Sequence, residues 1–412
     1  MQILFISEYY PPLVRGGGEI NLQLLATALA KQGCNVAVLT ASSRRLASYE
    51  EQAGVKIYRR LKTGNHPGSF KSNIFRRLLF PRSVDQEARK LVSEINPDLI
   101  HFIGTSIIAA PQLKELNKPL FATIESYPTL CPKGDRLYHG QEECKIVCNF
   151  KAFASCQRDS EEIGKMKNRW YLKYNPLFLR YVYNYYKKLN QALSYCTLIS
   201  ISSYVQQLLL LHNHRSTVIP DILEVEKFLR VQNLTPPKTK LNKVRLLYLG
   251  SLIKSKGPQV LLEALKGLDS RCDLYGEGNL KGELQNLITK YKLDAEIHPP
   301  VPYETVPELY AQADLVVFPS IWPEPFGRIV IEAMAAGKMV IASNIGAIKE
   351  IVVPSSGILV PAGEHQPLQQ GIKDYIKKNK LDQDLANYLE NYTLHGVTKR
   401  LIISYKRVIQ NG

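Results

Sequence analysis

The chain has 412 residues, of which 45% are hydrophobic, and a formal net charge of +16 at pH 7. This length suits two domains of ordinary size, and the hydrophobic content is typical of a soluble globular protein. No apolar stretch approaches the roughly 20 residues that a membrane-spanning helix needs, which argues against an integral membrane protein. The apolar start, 1–7, is soon followed by Glu8 and predicts a first strand rather than a signal peptide, so we expect a cytoplasmic protein.

The positive charge is concentrated in two segments that also carry apolar and aromatic residues, 70–80 and 165–188. Basic amphipathic segments can associate with an anionic membrane surface. They can equally be ordinary surface helices that pack one face on the core. No basic repeat, finger or helix-turn-helix pattern indicates nucleic acid, so no nucleic-acid partner is expected. An anionic membrane surface therefore stays open as a partner.

The first half of the chain alternates apolar runs with helical patterns. A helix is predicted over 18–32, where Leu22, Leu25 and Leu29 share one face. Strands are predicted at 3–6, 35–39, 55–58, 99–102, 120–124 and 198–200. This alternation is typical of a parallel sheet with helices on both sides.

The second half repeats this rhythm after a polar, proline-containing segment at 235–240. Strands are predicted at 244–249, 273–275, 296–298, 315–318, 339–341 and 357–360. The sequence therefore predicts an α/β protein with two Rossmann-like parallel-sheet domains, 1–222 and 223–394. Two such domains facing each other form a central cleft, and ligands bind outside the carboxyl ends of the strands.

Two glutamates eight positions apart are the most informative motif. Glu324 lies in a proline- and glycine-containing loop after the predicted strand 315–318, and Glu332 lies within a helix predicted over 327–336. Along a helix, eight residues span about 12 Å, so the two carboxylates cannot share a proton or a small metal ion. The helix N-terminus between them offers N–H groups and a positive dipole end to an anion. A ligand in the order sugar, diphosphate, ribose fits this arrangement.

The segment around these glutamates resembles the signature of glycosyltransferase family 4, whose members are retaining, nucleotide-sugar-dependent enzymes with the GT-B fold. The resemblance is specific over 250–361 and looser over 70–221, and it extends to segments 9–12, 16–19, 247–257, 273–278, 319–337, 345–352 and 357–361. It implies that domain 1–222 binds the acceptor and that domain 223–394 binds the nucleotide-sugar donor. It also implies that the last helix, about 395–412, packs back on the first domain.

The resemblance further implies roles for individual residues. Glu324 and the backbone amides of Phe326 and Gly327 would hold the donor sugar, Glu332 the ribose, and Lys256 the diphosphate. The implied donor-binding set is Gly17, Gly18, Ser251, Lys254, Lys256, Gly276, Glu324, Pro325, Phe326, Gly327, Arg328 and Glu332. Viewed without the family, the glycine run 16–18 is also consistent with a flexible loop, and Lys256 with an exposed surface lysine.

Two positions depart from the family pattern. Ser251 stands where the family usually has an arginine, and Lys254 would replace that charge without the planar fork of a guanidinium. Glu125 and Ser126 stand where the family commonly has histidine and aspartate. Glu125 can be read as a ligand for an acceptor hydroxyl, as a base whose pKa burial tunes, or as a structural carboxylate. His101 matches another frequent family histidine, with a structural or a site role.

Seven cysteines without an export signal do not predict a disulfide framework. Four of them are close in sequence, and the central spacing suits structural zinc, whereas the outer spacings do not match a standard zinc knuckle. The alternatives are bound zinc or reduced thiols, at Cys131, Cys144, Cys148 and Cys156. Catalysis is expected to need no metal cofactor, because the Asp-x-Asp at 382–384 lies in a polar helical pattern, and helix N-termini with Lys256 can stabilise a diphosphate.

These patterns and the resemblance together predict a retaining hexosyltransferase-type glycosyltransferase. It would move a sugar from a UDP- or GDP-sugar to a glycan or lipid-linked acceptor, either in the cytoplasm or at the cytoplasmic membrane face. Its candidate catalytic residues are Glu324, Lys256 and Glu125. If Glu125 is a true base, an inverting reaction is conceivable. Two alternatives remain open: a non-catalytic GT-B protein that binds a nucleotide sugar, and a nucleotide-sugar epimerase on the same fold.

Overall fold

A computed structural model describes residues 1–64, 70–140, 142–158, 170–232, 243–378 and 385–411. Contacts divide the chain into two compact units. The first unit comprises Met1–Gly140, Cys144–Ile222 and Leu394–Gly412, and the second comprises Gln141–Glu143 and Leu223–Thr393. The predicted polar segment 235–240 lies outside the described residues.

The described residues of the first half of the chain form ten strands. They are β1 Gln2–Ser7, β2 Asn35–Ala41, β3 Tyr49–Gln52, β4 Val55–Leu61, β5 Leu99–Ile103, β6 Leu120–Ile124, β7 Leu137–Tyr138, β8 Glu142–Glu143, β9 Thr197–Ser200 and β10 Ser216–Val218. Eight of them form one sheet in the order β10-β9-β6-β5-β1-β2-β4-β3. Every neighbouring pair in this sheet is parallel except β3 with β4, which is antiparallel.

The helices of the first unit are α1 Gly17–Lys31, α2 Phe70–Ile95, α3 Ala110–Leu113, α4 Phe150–Arg158, α5 Pro176–Ala192, α6 Ser203–Leu211 and a C-terminal helix, Leu394–Asn411. The predicted apolar face of α1 is buried, as Leu22, Leu25 and Leu29 show. These leucines share one core with Leu401 and Tyr405 of the C-terminal helix. Burial of this face, rather than helix propensity, therefore holds the C-terminal helix on the first unit.

In the part of the second unit that the structure describes, the sheet has six strands: β11 Val244–Leu249, β12 Ser270–Tyr275, β13 Ala295–His298, β14 Leu315–Phe318, β15 Met339–Ser343 and β16 Gly357–Val360. Its helices are α7 Val225–Leu229, α8 Pro258–Ala264, α9 Lys281–Tyr291, α10 Val306–Gln312, α11 Arg328–Ala335, α12 Ile348–Ile351, α13 His365–Lys378 and α14 Ala386–Leu389. All strand pairs are parallel, in the order β13-β12-β11-β14-β15-β16. The central strands β14 and β15 carry near-continuous apolar, buried runs, as strands covered on both faces do.

The strand order of the second sheet reverses between β11 and β14. Strands β12 and β13 lie on one side of β11, and β14 to β16 follow on the other. In open parallel sheets, ligands bind in the crevice outside the carboxyl ends of the strands at such a point. The two parallel sheets confirm the predicted α/β class, and the reversal marks where a site is expected in the second unit. Within the described residues, no helix combines the length and apolar character that crossing a bilayer demands.

Candidate active site

Glycines fix the loops at the carboxyl ends of β11 and β12. Gly276 has a φ of +155°, and a Cβ there would lie 1.9 Å from the carbonyl oxygen of Gly250. The Gly250 amide donates to the Tyr275 carbonyl at 3.1 Å, and the Leu252 amide donates to the Glu277 carbonyl at 2.8 Å. Only glycine permits this close approach, since any side chain at 276 would push the two loops apart.

The loop after β11 also packs against the loop after β14. Lys254–Lys256 form a 3-10 turn that ends at Gly257, where φ is +73° and a Cβ would lie 1.9 Å from the Pro319 carbonyl oxygen. The Ser255 carbonyl accepts hydrogen bonds from the amides of Ile321 and Trp322, at 2.8 and 2.9 Å. These contacts place the Lys256 side chain beside the Pro-Glu-Pro loop.

Lys256 and Glu324 form an ion pair at this point. Lys256 Nζ lies 2.7 Å from Glu324 Oε1, which also accepts a hydrogen bond from Ser320 Oγ at 2.9 Å. The ammonium stands 4.3 Å from the centre of the Trp322 ring, within cation–π range. The Glu324 side chain is 8% exposed and that of Lys256 is 25% exposed. The buried carboxylate is thus balanced by a cation that keeps contact with solvent.

The backbone of Glu324 is held by a second glycine turn. Gly346 has a φ of +57°, and a Cβ there would lie 2.5 Å from both the nitrogen and the oxygen of Glu324. The Ala347 amide donates to the Glu324 carbonyl at 2.8 Å. This packing explains why Gly346 and Ala347 accompany the Glu324 motif, although more than twenty residues separate them.

The predicted helix after Glu324 is α11, and its ends are as expected. Gly327 is its N-cap residue and provides no side-chain cap, so the first amides of α11 are not covered by a capping side chain. A Cβ at Gly327 would lie 2.6 Å from Ile348 Cδ1. Gly337 follows the helix with a φ of +69°, the left-handed conformation that ends helices.

Glu332 is buried on α11 and finds hydrogen-bond donors, as its apolar surroundings predict. Tyr303 Oη donates to Glu332 Oε1 at 2.7 Å, and Tyr310 Oη donates to Oε2 at 3.1 Å. Burial raises the pKa of the Glu332 carboxyl above its usual value, while Arg328 and the two tyrosines oppose that shift. The sequence offered no signal for the two tyrosines, which lie more than 20 positions upstream. The role of Glu332 at a ribose stays a prediction.

The remaining donor-side residues differ in exposure. Ser251 and Lys254 are exposed, whereas Gly276, Pro325 and Phe326 are buried. The Ser251 carbonyl accepts a hydrogen bond from Tyr248 Oη at 2.9 Å. Lys256 is therefore the cation that the folded loop brings to Glu324.

Glu125 lies at the end of β6, against the start of α1. A Cβ at Gly18 would lie 2.6 Å from Glu125 Oε2, so the glycine makes room for this carboxylate. Gly17 is the first residue of α1, and a Cβ there would meet nothing within 4 Å. The Gly16 amide donates to Glu19 Oε2 at 2.9 Å, which orders the glycine run. The glycine loop and Glu125 thus form one local cluster within the first unit.

Asn21 bridges Glu125 to a second carboxylate that the motifs did not single out. Asn21 Nδ2 donates to Glu125 Oε1 at 2.9 Å and to Asp221 Oδ1 at 3.0 Å, while its Oδ1 accepts from the Ile222 amide at 2.9 Å. Asn21 is 4% exposed. In the sequence, Asn21 stands out only as a polar residue next to Leu22, on the face of α1 that is predicted to be buried.

His101 has a structural environment. It is fully buried in β5, with Nδ1 hydrogen-bonded to Tyr405 Oη and Nε2 2.8 Å from Thr123 Oγ1. Burial lowers its pKa to about 3, so the ring is neutral. Both ring nitrogens are engaged between β6 and the C-terminal helix, which favours the structural alternative.

Glu8, at the carboxyl end of β1, is a further buried carboxylate. Arg76 Nε of α2 lies 2.6 Å from Glu8 Oε1, and Thr63 Oγ1 and Thr105 Oγ1 also donate to this carboxylate. Glu8 is 6% exposed. The pair fixes the rotation of the first turns of α2 on the sheet.

All seven cysteines are free thiols. Cys131, Cys144, Cys148 and Cys156 line one small cavity, and burial, with the three neighbouring cysteines, raises the pKa of Cys148 to about 12. Zinc at these cysteines stays a prediction.

Across the described ranges, the one group with ligand atoms close enough for a metal is Asp273, Glu296 and His298. Arg271 bridges its two carboxylates at 3.1 and 3.0 Å, as in an ion-pair cluster. The Asp-x-Asp at 382–384 lies outside the described residues.

Two family models match this chain. Residues 15–227 match the model described as Glycosyltransferase Family 4, and residues 232–392 match the model described as Glycosyl transferases group 1. The uncharacterized glycosyltransferase MJ1607 of Methanocaldococcus jannaschii is 23% identical over 430 aligned positions, covering 98% of each chain.

Solved structures share the fold over the whole length. Sucrose-phosphate synthase from Thermosynechococcus elongatus superposes with a TM-score of 0.72 at 19% identity, covering all of both chains. HepE of Anabaena in complex with UDP-glucose superposes with a TM-score of 0.61 at 19% identity, covering 100% of this chain and 98% of HepE. Since the first family match spans more than half of the 412 residues, the chain belongs to glycosyltransferase family 4 and is a glycosyltransferase with the GT-B fold.

Proposed function

We propose that this protein transfers a sugar, with retention of anomeric configuration, from a UDP- or GDP-sugar to a glycan or lipid-linked acceptor. The observation that carries the proposal is the Lys256–Glu324 ion pair beside the N-terminus of α11, where the strand order of the second sheet reverses. A cation, a helix N-terminus and a buried carboxylate in one crevice suit a donor that carries both a diphosphate and a sugar.

Lys256 would stabilise the leaving group. As the bond between the anomeric carbon and the diphosphate oxygen breaks, the diphosphate takes the electron pair and gains negative charge. An ammonium beside the positive dipole end of a helix stabilises that charge more in the transition state than in the ground state. The acceptor hydroxyl then forms the new bond to the anomeric carbon on the same face, and its proton passes to the departing diphosphate oxygen.

Glu324 would hold the hydroxyls of the donor sugar. Its backbone is fixed by Gly346 and Ala347, and its carboxylate by Lys256 and Ser320. A carboxylate held this firmly loses little conformational freedom on binding, which favours orientation of the sugar for reaction. The complexes of HepE with UDP and with UDP-glucose support a nucleotide sugar as the donor class.

Glu125 is the proposed contact to the acceptor in the first unit. It is partly buried at the end of β6 and held by Asn21. Retention is proposed from the family resemblance. If Glu125 instead removed the acceptor proton while attack came from the opposite face, the product would be inverted.

A thermal-shift screen against a panel of UDP- and GDP-sugars tests the donor class, because a ligand stabilises the fold once its concentration exceeds its Kd. The sugar that stabilises the protein is then used with candidate acceptors, and the product is examined by NMR. We expect the anomeric configuration of the donor in the product. An inverted product would contradict retention, and absence of any stabilisation by the panel would contradict the donor assignment.

A further inference from the structure

A large groove runs between α2 and α5 in the first unit, and none of its lining residues is assigned to the donor. Its volume is about 1170 Å³, above the roughly 300–1,000 Å³ of ordinary ligand pockets. Apolar and aromatic side chains line much of it, among them Leu78, Ile108, Tyr181 and Tyr195. The shape suits a ligand with an extended apolar part.

The charge along this groove has one sign. Arg77, Arg82, Lys187 and Lys188 line it, and none of the described lining residues is acidic. Helix α5 carries three basic residues and no acidic residue, and the first acidic residue of α2 is Asp85, which pairs with Arg89. Such a field attracts an anion, with an on-rate and affinity that fall as salt increases.

Large apolar side chains are exposed beside these cations. Phe75, Leu78 and Leu79 are 55%, 52% and 43% exposed, and Leu177 at the start of α5 is 81% exposed. Residues spaced by three and four positions share one face of a helix, so Phe75, Leu78 and Leu79 form a continuous strip on α2. Clustered apolar side chains of this size indicate an interaction surface.

The orientation of this strip is fixed. Arg76 is held by Glu8, and Phe80 and Val84 are fully buried, so α2 cannot rotate to hide the strip. On α5, Leu179, Val182 and Tyr186 are buried and leave Lys187 and Lys188 exposed. The folded first unit therefore presents an apolar strip and a basic groove side by side.

We propose that α2 and α5 form a docking surface for an anionic phospholipid membrane, in which Arg82, Lys187 and Lys188 hold a lipid headgroup phosphate and the α2 strip enters the interface. Charge complementarity selects the anionic headgroup. The exposed apolar strip selects a lipid surface over a soluble polyanion, which would leave those side chains in water. This docking does not depend on the donor chemistry.

Co-sedimentation with vesicles tests the proposal. The wild-type protein is expected to bind vesicles of phosphatidylcholine mixed with phosphatidylglycerol far better than phosphatidylcholine alone. Arg82→Glu/Lys187→Glu/Lys188→Glu should weaken that binding by about 100-fold or more, since each basic residue near an anionic surface contributes about a fivefold factor. The matched control, Lys399→Glu/Lys406→Glu/Arg407→Glu, makes the same charge change on exposed positions of the C-terminal helix and should retain binding.

The apolar strip is tested by Phe75→Ser/Leu78→Ser/Leu79→Ser, which should weaken binding to the mixed vesicles by about tenfold or more. All substituted positions are exposed, and unfolding temperatures of the variants check that the fold persists. Donor-induced thermal shift, measured without vesicles, should be unchanged in every variant, which separates this proposal from the proposed function.

Three results would overturn the docking surface. If the groove variant and the C-terminal helix control lost vesicle binding equally, the binding would reflect net charge rather than this surface. Wild-type binding by the serine variant would show that the strip does not enter the interface. Groove-dependent binding of a double-stranded DNA fragment, as strong as that of the mixed vesicles, would identify a polyanion site instead of a membrane site.

Discussion

Lys256 Nζ and Glu324 Oε1 lie 2.7 Å apart, although 68 positions separate the two residues in the chain. The contact exists because β11 and β14 are neighbours in the sheet and because Gly257 lets their loops meet at the Pro319 carbonyl. A site with both charges is thus built by the topology of the second unit before any ligand binds. It gives the proposed donor a preorganised cation and a preorganised carboxylate.

Removing the Lys256 ammonium should reduce turnover strongly. We expect Lys256→Ala to lower kcat by about 100- to 1,000-fold, the usual effect of losing one group that stabilises transition-state charge. Lys290→Ala, at an exposed position of α9 in the same unit, is the control and should cost less than about tenfold. Steady-state release of the nucleoside diphosphate measures both. Equal effects of the two substitutions would argue against a specific role for Lys256.

Gly346 should be essential for the position of Glu324. Gly346→Ala imposes a left-handed conformation on a residue with a side chain, at a cost of about 1–2 kcal/mol, and places its Cβ 2.5 Å from the Glu324 backbone. Gly363→Ala separates the backbone strain from the clash. Gly363 also has a positive φ, +81°, but nothing lies within 4 Å of the added Cβ. We expect both to lower the free energy of unfolding and only Gly346→Ala to abolish donor binding. Full donor binding by Gly346→Ala would contradict the proposed support of Glu324.

The raised pKa of Glu332 should appear in the pH dependence of stability. A carboxyl whose folded-state pKa lies above its unfolded value binds more protons when folded, so its contribution to stability is present at low pH and is lost as pH rises through the folded-state pKa. Glu332→Gln cannot titrate. We therefore expect the stability of the wild type, relative to this variant, to fall between an acidic pH below about 4 and neutral pH. Urea unfolding at several pH values measures this, and a difference that rises with pH would contradict it.

Replacing Asn21 should lower both the stability of the fold and the sugar transfer that depends on Glu125. Asn21→Ala removes three buried hydrogen bonds, to the Ile222 amide and to two carboxylates, and we expect a loss of about 1–3 kcal/mol in the free energy of unfolding. Gln23→Ala, two positions along the same helix and less buried, is the control and should cost less than about 0.5 kcal/mol. Sugar transfer should fall more than donor hydrolysis in Asn21→Ala. An unchanged ratio of transfer to hydrolysis would show that Asn21 acts on the fold alone.

Much of the fold could be predicted because most of the parallel strands are mainly apolar. The strands at 120–124, 244–249, 315–318 and 357–360 have the predicted bounds, and α11 is within one residue of its predicted limits. Strands β3 and β10 were missed because Tyr49–Gln52 is polar and Ser216–Val218 has three residues. Local periodicity does not reveal such short or exposed pairings.

The candidate site also contains residues that local motifs predict and residues that they do not. Glu324, Lys256 and the glycines were predicted because each belongs to a compact local motif. Asn21 and Asp221 were not, because they meet across 200 positions of the chain and neither lies in a motif. The tyrosines on Glu332 were likewise hidden, since burial predicts that a carboxylate has donors but not which residues supply them.

The most direct test of the account is release of UDP or GDP from the nucleotide sugar that the thermal-shift panel selects, by the wild type and by Glu324→Gln. Glu308→Gln, an exposed glutamate on α10 of the same unit, is the matched control. We expect release by the wild type and by Glu308→Gln, and none by Glu324→Gln. Release by Glu324→Gln at the wild-type rate would contradict the assignment of the donor site.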